Sequence, residues 1–144
     1  MYKHRHFGSY GLIIDEDRIL LIRKSRGAYT GKLDLPGGSF EHGESPLETV
    51  KREIMEEVGV NVLSATLVDG DSCNVVWFNK ERDDEEDLHH IGFIYMILID
   101  DKENIKTGSD GLDSLGANWY LIDDLKYEEV SPFTWNQLKR LGYK

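Results

Sequence analysis

The sequence predicts an α/β protein in which a mixed β-sheet carries helices on its faces. Three observations predict it: apolar runs of strand length recur along the chain, one amphipathic helical pattern interrupts them, and a second helical pattern lies near the end. The 144 residues suit one domain, 1-144, because that length buries a good core without dividing comfortably into two.

Taken in order, GSYGLIIDEDRILLIR, Gly8 to Arg23, places two apolar stretches around Asp15-Glu16-Asp17 and predicts a β-hairpin with a polar turn. KSRGAYTGKLDLPGG is rich in turn formers, so only Leu33 to Leu35 is expected as a short strand. Ser45-Pro46 supplies a helix cap with Pro behind it, and Glu48 completes a capping box. The helix is expected to run to Val58, with Gly59 just past its end. Val62 to Val68, Cys73 to Phe78 and Ile91 to Ile99 read as strands, and the acidic run Glu81 to His90 as a solvated loop. Asn118 to Ile122 gives a last strand, and Pro132 to Leu141 a terminal helix behind Ser131. No repeat is apparent.

A formal net charge of -10 with no basic stripe excludes long nucleic acid as a partner. The N-terminal stretch lacks a long apolar segment and no other stretch reaches membrane-spanning length, so the expectation is a cytoplasmic protein without a membrane partner. Self-association into a homodimer is left open. Cys73 is the single cysteine, which rules out an internal disulfide and suits a buried, inert thiol. An acidic protein that binds a phosphate needs a local source of positive charge, from cations or a few placed Arg and Lys.

On the Ser45 to Val58 helix, a step of about 100° per residue puts Leu47, Val50, Ile54 and Val58 on one arc and Glu53, Glu56 and Glu57 on another. A solvated acidic face is the ordinary reading of such a pattern. Repulsion between like charges and the unfavourable position of Glu57 near the helix C-terminus argue for a compensating cation. Carboxylate oxygens suit Mg²⁺ or Mn²⁺, whose open positions accept water and phosphate oxygens.

The whole stretch GSFEHGESPLETVKREIMEEVGV, Gly38 to Val60, resembles the Nudix box. Gly38, Glu44, Arg52, Glu53, Ile54, Glu56, Glu57, Gly59 and Val60 stand at its defining intervals, a match on the order of one in a hundred million at average residue frequencies. The resemblance implies the Nudix (MutT-like) hydrolase fold, an α/β/α sandwich with a mixed β-sheet. It also implies a hydrolase that cleaves a phosphoanhydride bond in a small nucleotide with Mg²⁺ or Mn²⁺. By this resemblance Glu53, Glu56 and Glu57 face the metal, the carbonyl of Gly38 completes the site, and Arg52 pairs with Glu44 to hold the loop and orient Glu53.

Water attack on phosphorus needs a base, for which the resemblance offers Glu53 or Glu56, or an acid of a later loop, Asp113 with Asp110 second. Arg23 stands where related enzymes put a phosphate contact, with Arg26 and Lys32 following, although surface solvation explains all three equally well. Gly37 is split between backbone approach to the site and an ordinary turn, and Gly43 reads as a turn residue. Phe133 and Trp135 are candidates to stack on a base, against a competing core role. His4/His6 and His89/His90 lack the companions of a structural zinc site.

Val75 and Val76 occupy the places where family members acting on ADP-ribose often carry Pro, and those acting on dinucleoside polyphosphates Tyr. The resemblance therefore favours nucleoside triphosphates by elimination. Nucleotide sugars, cap-like substrates and a non-catalytic nucleotide sensor stay as alternatives.

Overall fold

The computed structural model describes Met1–Lys144. Its strands are β1 (Tyr2–Leu12), β2 (Ile14–Asp15), β3 (Arg18–Lys24), β4 (Leu33–Asp34), β5 (Gly37–Ser39), β6 (Val62–Asn79), β7 (Asp84–Ile99) and β8 (Ser114–Leu121). Two α-helices, α1 (Pro46–Val58) and α2 (Pro132–Arg140), accompany them, with short 3₁₀ turns at Ile122–Asp124 and Tyr127–Glu129 leading from β8 to α2. One four-stranded sheet runs in the order β5-β1-β7-β6, and β2, β8 and β4 pair with β3 in the second. The pairing of β1 with β7 is parallel and the rest is antiparallel, so the first sheet is mixed as expected.

Alternation along the strands builds two cores. Tyr10, Leu12, Ile19, Leu21 and Ile94 point to one side and pack with Phe133 and Leu138 of α2. Ile13, Leu20, Ile22, Tyr95 and Ile97 point to the other and pack with Val50, Ile54 and Val58 of α1. Strands with apolar residues on both faces must be covered twice, which is why the short runs of the sequence produce a layer of sheet between two helices.

The predicted cap of α1 is present in full. The Ser45 hydroxyl accepts from Glu48 N–H and the Glu48 carboxylate accepts from Ser45 N–H, a device worth about 1 kcal/mol. Gly59 ends the helix in a left-handed conformation. The apolar arc differs in one place: Leu47 is exposed, and the side buried includes Thr49 and Glu57. At α2, the Ser131 hydroxyl accepts from Thr134 N–H.

Two expectations change. The hairpin is confined to Ile14↔Ile19 and Asp15↔Arg18, while β1 leaves for the other sheet and pairs along its length with β7. The segment Glu81 to His90 is not a solvated loop: after a turn ending at Asp83, which has a positive φ of 52°, β7 begins at Asp84. The strands expected at 62–68 and 73–78 likewise merge into β6, whose register shifts between Leu67 and Asp69. Pairing with β1 and β6 on both sides outweighs the local charge, and Glu86, Leu88 and His90 turn inward while Glu85, Asp87 and His89 turn away. No helix is long and apolar enough to cross a membrane.

Candidate active site

The chain enters the site through Pro36-Gly37-Gly38, where β5 pairs with β1 so that Ser9 lies opposite Gly38 and Tyr10 opposite Gly37. Gly37 has a φ of 147°, and a Cβ there would meet the Ser9 carbonyl oxygen at 2.1 Å. A Cβ on Gly38 would lie 2.9 Å from the Glu53 carboxylate. Gly37 needs glycine because its conformation is left-handed and backbone closes on it, whereas a side chain at Gly38 would push the Glu53 carboxylate aside. The Ser9 hydroxyl, across from Gly38, is buried without a hydrogen-bond partner.

The carboxylates of α1 divide by depth. Glu57 is 2% exposed and accepts from Gly37 N–H at 2.8 Å. Burial pushes its carboxyl well above the usual range, and the neighbouring Glu53 carboxylate adds to the shift. Burial also raises Glu53, against the pull of Arg52. Glu56 stays near solvent, with its oxygens 3.3 Å from Arg52 Nη1.

Arg52 ties the loop to the helix. Its Nε and Nη2 donate to the two oxygens of Glu44 at 2.7 and 2.9 Å, Nη2 also donates to Ser39 O at 3.0 Å, and Nη1 donates to Glu53 at 3.0 Å. Glu44 accepts as well from Glu41 N–H and the Thr49 hydroxyl. The Arg52 bonds hold the Glu44 carboxyl down at about 2. The fork geometry of this pair is one that Lys could not reproduce.

Beside Gly38 and Ser39 a cleft of about 840 Å³ opens between the inner face of β1, β7 and β6 and the loop after β3. Its walls include Lys24, Arg26, Tyr29, Asp34, His90 and Asp113. Asp113 pairs with Arg26. Asp110 instead organises its own loop, accepting from Leu112 and Ser114 N–H.

The cleft gathers some expected residues and omits others. Arg26 and Asp113 line it with Gly38, but Arg23 is exposed and donates to the Gly31 carbonyl at 2.8 Å, and Lys32 is not on its walls. Phe133 is a core residue, 1% exposed, whose ring Gly92 admits by lacking a Cβ. Trp135 packs edge-on against Tyr127, with Lys144 above its ring, away from the cleft. The sequence does not single out Lys24, Asp34 or Tyr29, and it offers His90 only as half of a His89/His90 pair without zinc companions. The period-two alternation of DEEDLHH was the signal for His90.

No group of three His, Cys, Asp or Glu side chains closes on a point that would hold an ion alone. What the site offers is one buried carboxylate, Glu57, and one half-buried, Glu53, both with raised proton affinity, pressed against a backbone whose close approach glycine permits. Hard oxygen donors carrying excess negative charge fit a divalent ion that keeps positions for water and phosphate.

The loop, the capped helix and the cleft together define a class: a hydrolase-type site of clustered carboxylates beside a nucleotide-sized cavity. The NUDIX domain family matches residues 3–141. A relative from Caenorhabditis elegans, named a nudix hydrolase, is 33% identical over 116 residues, 81% of this chain, though the chain covers only 28% of that protein's length. An ADP-ribose pyrophosphatase of Methanocaldococcus jannaschii is 30% identical over 143 residues, 99% of this chain and 70% of the relative. A crystal structure of a MutT NUDIX hydrolase from Burkholderia pseudomallei superposes with a TM-score of 0.71 at 25% identity, covering 96% of this chain and 98% of that one. The chain belongs to the Nudix hydrolase family.

Proposed function

We propose that this protein hydrolyses a phosphoanhydride bond in a nucleoside diphosphate linked to another moiety, with Mg²⁺ or Mn²⁺, and that nucleoside triphosphates are its substrates. The observation that carries the reading is the convergence of Glu53 and Glu57 on Gly37-Gly38 at the mouth of a cleft that also presents Lys24 and Arg26. Glu53, Glu57 and the Gly38 carbonyl would hold the ion, with Glu56 at its solvent side. The ion's contribution when bound is to neutralise charge on the phosphate oxygens and to acidify water.

The chain's own residues position and protonate. Glu44 fixes Arg52, and Arg52 fixes the Glu53 carboxylate in the direction of Gly38. Glu53, whose proton affinity burial has raised, is the base for the attacking water, with Glu56, exposed beside Arg52, and Asp113, on the cleft wall, as the other candidate acids. Lys24 and Arg26 take the phosphate contacts that the sequence assigned to Arg23, because they stand on the cleft wall. The protein would work in the cytoplasm on soluble nucleotides, as a monomer or homodimer.

The relative named as an ADP-ribose pyrophosphatase favours a second reading, hydrolysis of a nucleotide joined to a sugar. A panel of ribo- and deoxyribonucleoside triphosphates, ADP-ribose and nucleotide sugars, assayed with Mg²⁺ and Mn²⁺ and with both products identified, separates the readings. Nucleoside monophosphate with pyrophosphate from triphosphates is the expected outcome. Dominant AMP with ribose 5-phosphate from ADP-ribose would replace it with the second reading, and binding without turnover would make the protein a sensor.

A further inference from the structure

The phosphate end of the cleft suits any nucleotide, so base selection has to come from its interior, and the hydrogen-bond inventory there is one-sided. His90 is 4% exposed and uses both ring nitrogens, Nε2 with Tyr10 Oη at 2.6 Å and Nδ1 with Tyr29 Oη at 2.9 Å. Burial lowers its pKa to about 3, so the ring is neutral and has a single N–H. Tyr10 Oη makes no other hydrogen bond, so its proton must go to Nε2. His90 Nδ1–H then donates to Tyr29, and Tyr29 donates to Cys73 Sγ at 3.3 Å. The Thr30 hydroxyl is likewise spent on the Gly27 carbonyl. These groups form a satisfied floor with nothing left to read a ligand.

Two buried carboxylates on the cleft wall keep an oxygen without a hydrogen bond, Glu86, whose Oε1 faces the His4 imidazole at 3.6 Å, and Asp34. Asp34 is 3% exposed, and its Oδ1 accepts from both Leu35 N–H and the Ser131 hydroxyl. Its Oδ2 has no protein partner, although the residue lines the cleft. That oxygen is not sealed in the protein but open to the cleft, where it can accept a donor from a ligand. The position is also right for a base. Gly38 lies opposite Ser9 and His90 opposite His6, three residues further along β1, so about 10 Å of strand separate the phosphate end from this floor.

We infer that Asp34 selects the base, its free oxygen accepting a hydrogen bond from the exocyclic amine of an amino-substituted nucleobase lying over the Tyr29–His90 floor. Burial raises the Asp34 carboxyl, against the pull of Lys24, Ser131 and Leu35, so the preference belongs to pH above its raised pKa, where an oxo group would set its lone pairs against the carboxylate. The inference rests on the nucleotide reading above but not on turnover.

Calorimetric binding of nucleoside monophosphates in amine and oxo pairs, AMP with IMP, GMP with XMP and CMP with UMP, tests it. In the tightest pair the amine member is expected to bind at least about tenfold better, and Asp34→Asn, whose amide can turn to donate, is expected to bring that pair within about threefold. Pairs that all lie within about threefold in the wild type overturn the inference. So does a ratio that persists in Asp34→Asn, or a lack of binding by all six. Should Asp34→Asn fail to fold by thermal melting, the wild-type ratios alone decide. Metal-dependent hydrolysis without an amine preference would overturn this inference only, whereas an amine preference without hydrolysis of any nucleotide would overturn the proposed reaction only.

Discussion

The Arg52 cluster and the Tyr10–His90–Tyr29 floor sit at opposite ends of one cleft and are built on opposite principles. The first is ionic and local: Glu44, Arg52, Glu53 and Glu56 come from one loop and one helix, and a single guanidinium bonds all three carboxylates, leaving an excess of negative charge. The second is neutral and remote: Tyr10 and His90 are 80 positions apart, and only the parallel pairing of β1 with β7 joins them. On the proposed reading, charge is concentrated where a cation and phosphate would be held and reduced where a base would lie. Beside this neutral floor the unpartnered Oδ2 of Asp34 opens to the cleft as a polar feature able to read a ligand.

The largest expected effect breaks the ionic end. Glu53→Gln and Glu57→Gln each should lower kcat on the order of a hundredfold or more in protein that still folds, because each removes a charge the site needs without changing side-chain shape. Burial already disfavours ionised Glu57, so its neutral replacement should not lower the melting temperature of the metal-free protein. Rates and melting curves on the same preparations check this, and near-wild-type rates in both variants would remove the assignment.

Next comes the support for that end. Arg52→Ala leaves Glu44 without its forked partner and frees Glu53, so the melting temperature and the rate should fall together, the rate by about tenfold to a hundredfold. Arg52→Lys should recover little of either, since one ammonium cannot bond both Glu44 oxygens and Glu53. Full rescue by Lys would reduce Arg52 to a point charge.

This contrast between local and remote assembly is also what made one end readable from the sequence. The Ser45 cap, Pro46, the helix and the spacing from Gly38 to Val60 are written within one stretch, and the structure reproduces the cap and both helix bounds closely. The floor was not readable because its members acquire a common purpose only through sheet topology. DEEDLHH looks like a solvated acidic run until β1 and β6 flank it, after which its alternation buries Glu86, Leu88 and His90. Lys24 was passed over for Arg23 for a similar reason, since successive strand residues face opposite ways and the sequence does not say which face meets the cleft. Trp135 shows the converse: an aromatic near the terminal helix is not thereby near the substrate.

The pH dependence separates the two ends more finely. His90 has its folded pKa lowered from 6.5 to about 3 by burial, so the unfolded chain takes up a proton that the folded one refuses. Stability from this group is complete above 6.5 and is lost as pH falls from there toward 3. Glu44, held at about 2 by Arg52, contributes stability that is present above its ordinary 4.5 and lost as pH falls below it. Between 6.5 and 4.5 His90 and His6, both lowered by burial, withdraw stability as pH falls, while Glu53, Glu57 and Asp34, raised by burial, return some, so His90→Gln should reduce the acid loss in this window of a denaturant titration and leave the Glu44 loss below 4.5 in place. An unchanged slope in His90→Gln would contradict the neutral-floor account.

The smallest expected effect is at Trp135, which lies outside both ends. Trp135→Ala should leave the ranking among bases unaltered, and a changed ranking in folded protein would extend the base site beyond the cleft walls.

The central claim, that the carboxylates at Gly37-Gly38 hold a divalent cation, is tested most directly by titrating Mn²⁺ into chelator-stripped protein and following binding by calorimetry, with no nucleotide present. Saturable binding by the wild type that disappears in the Glu53→Gln/Glu57→Gln double variant, itself verified as folded, is the predicted result. Equal Mn²⁺ affinity in the two proteins would contradict it and place the cation elsewhere.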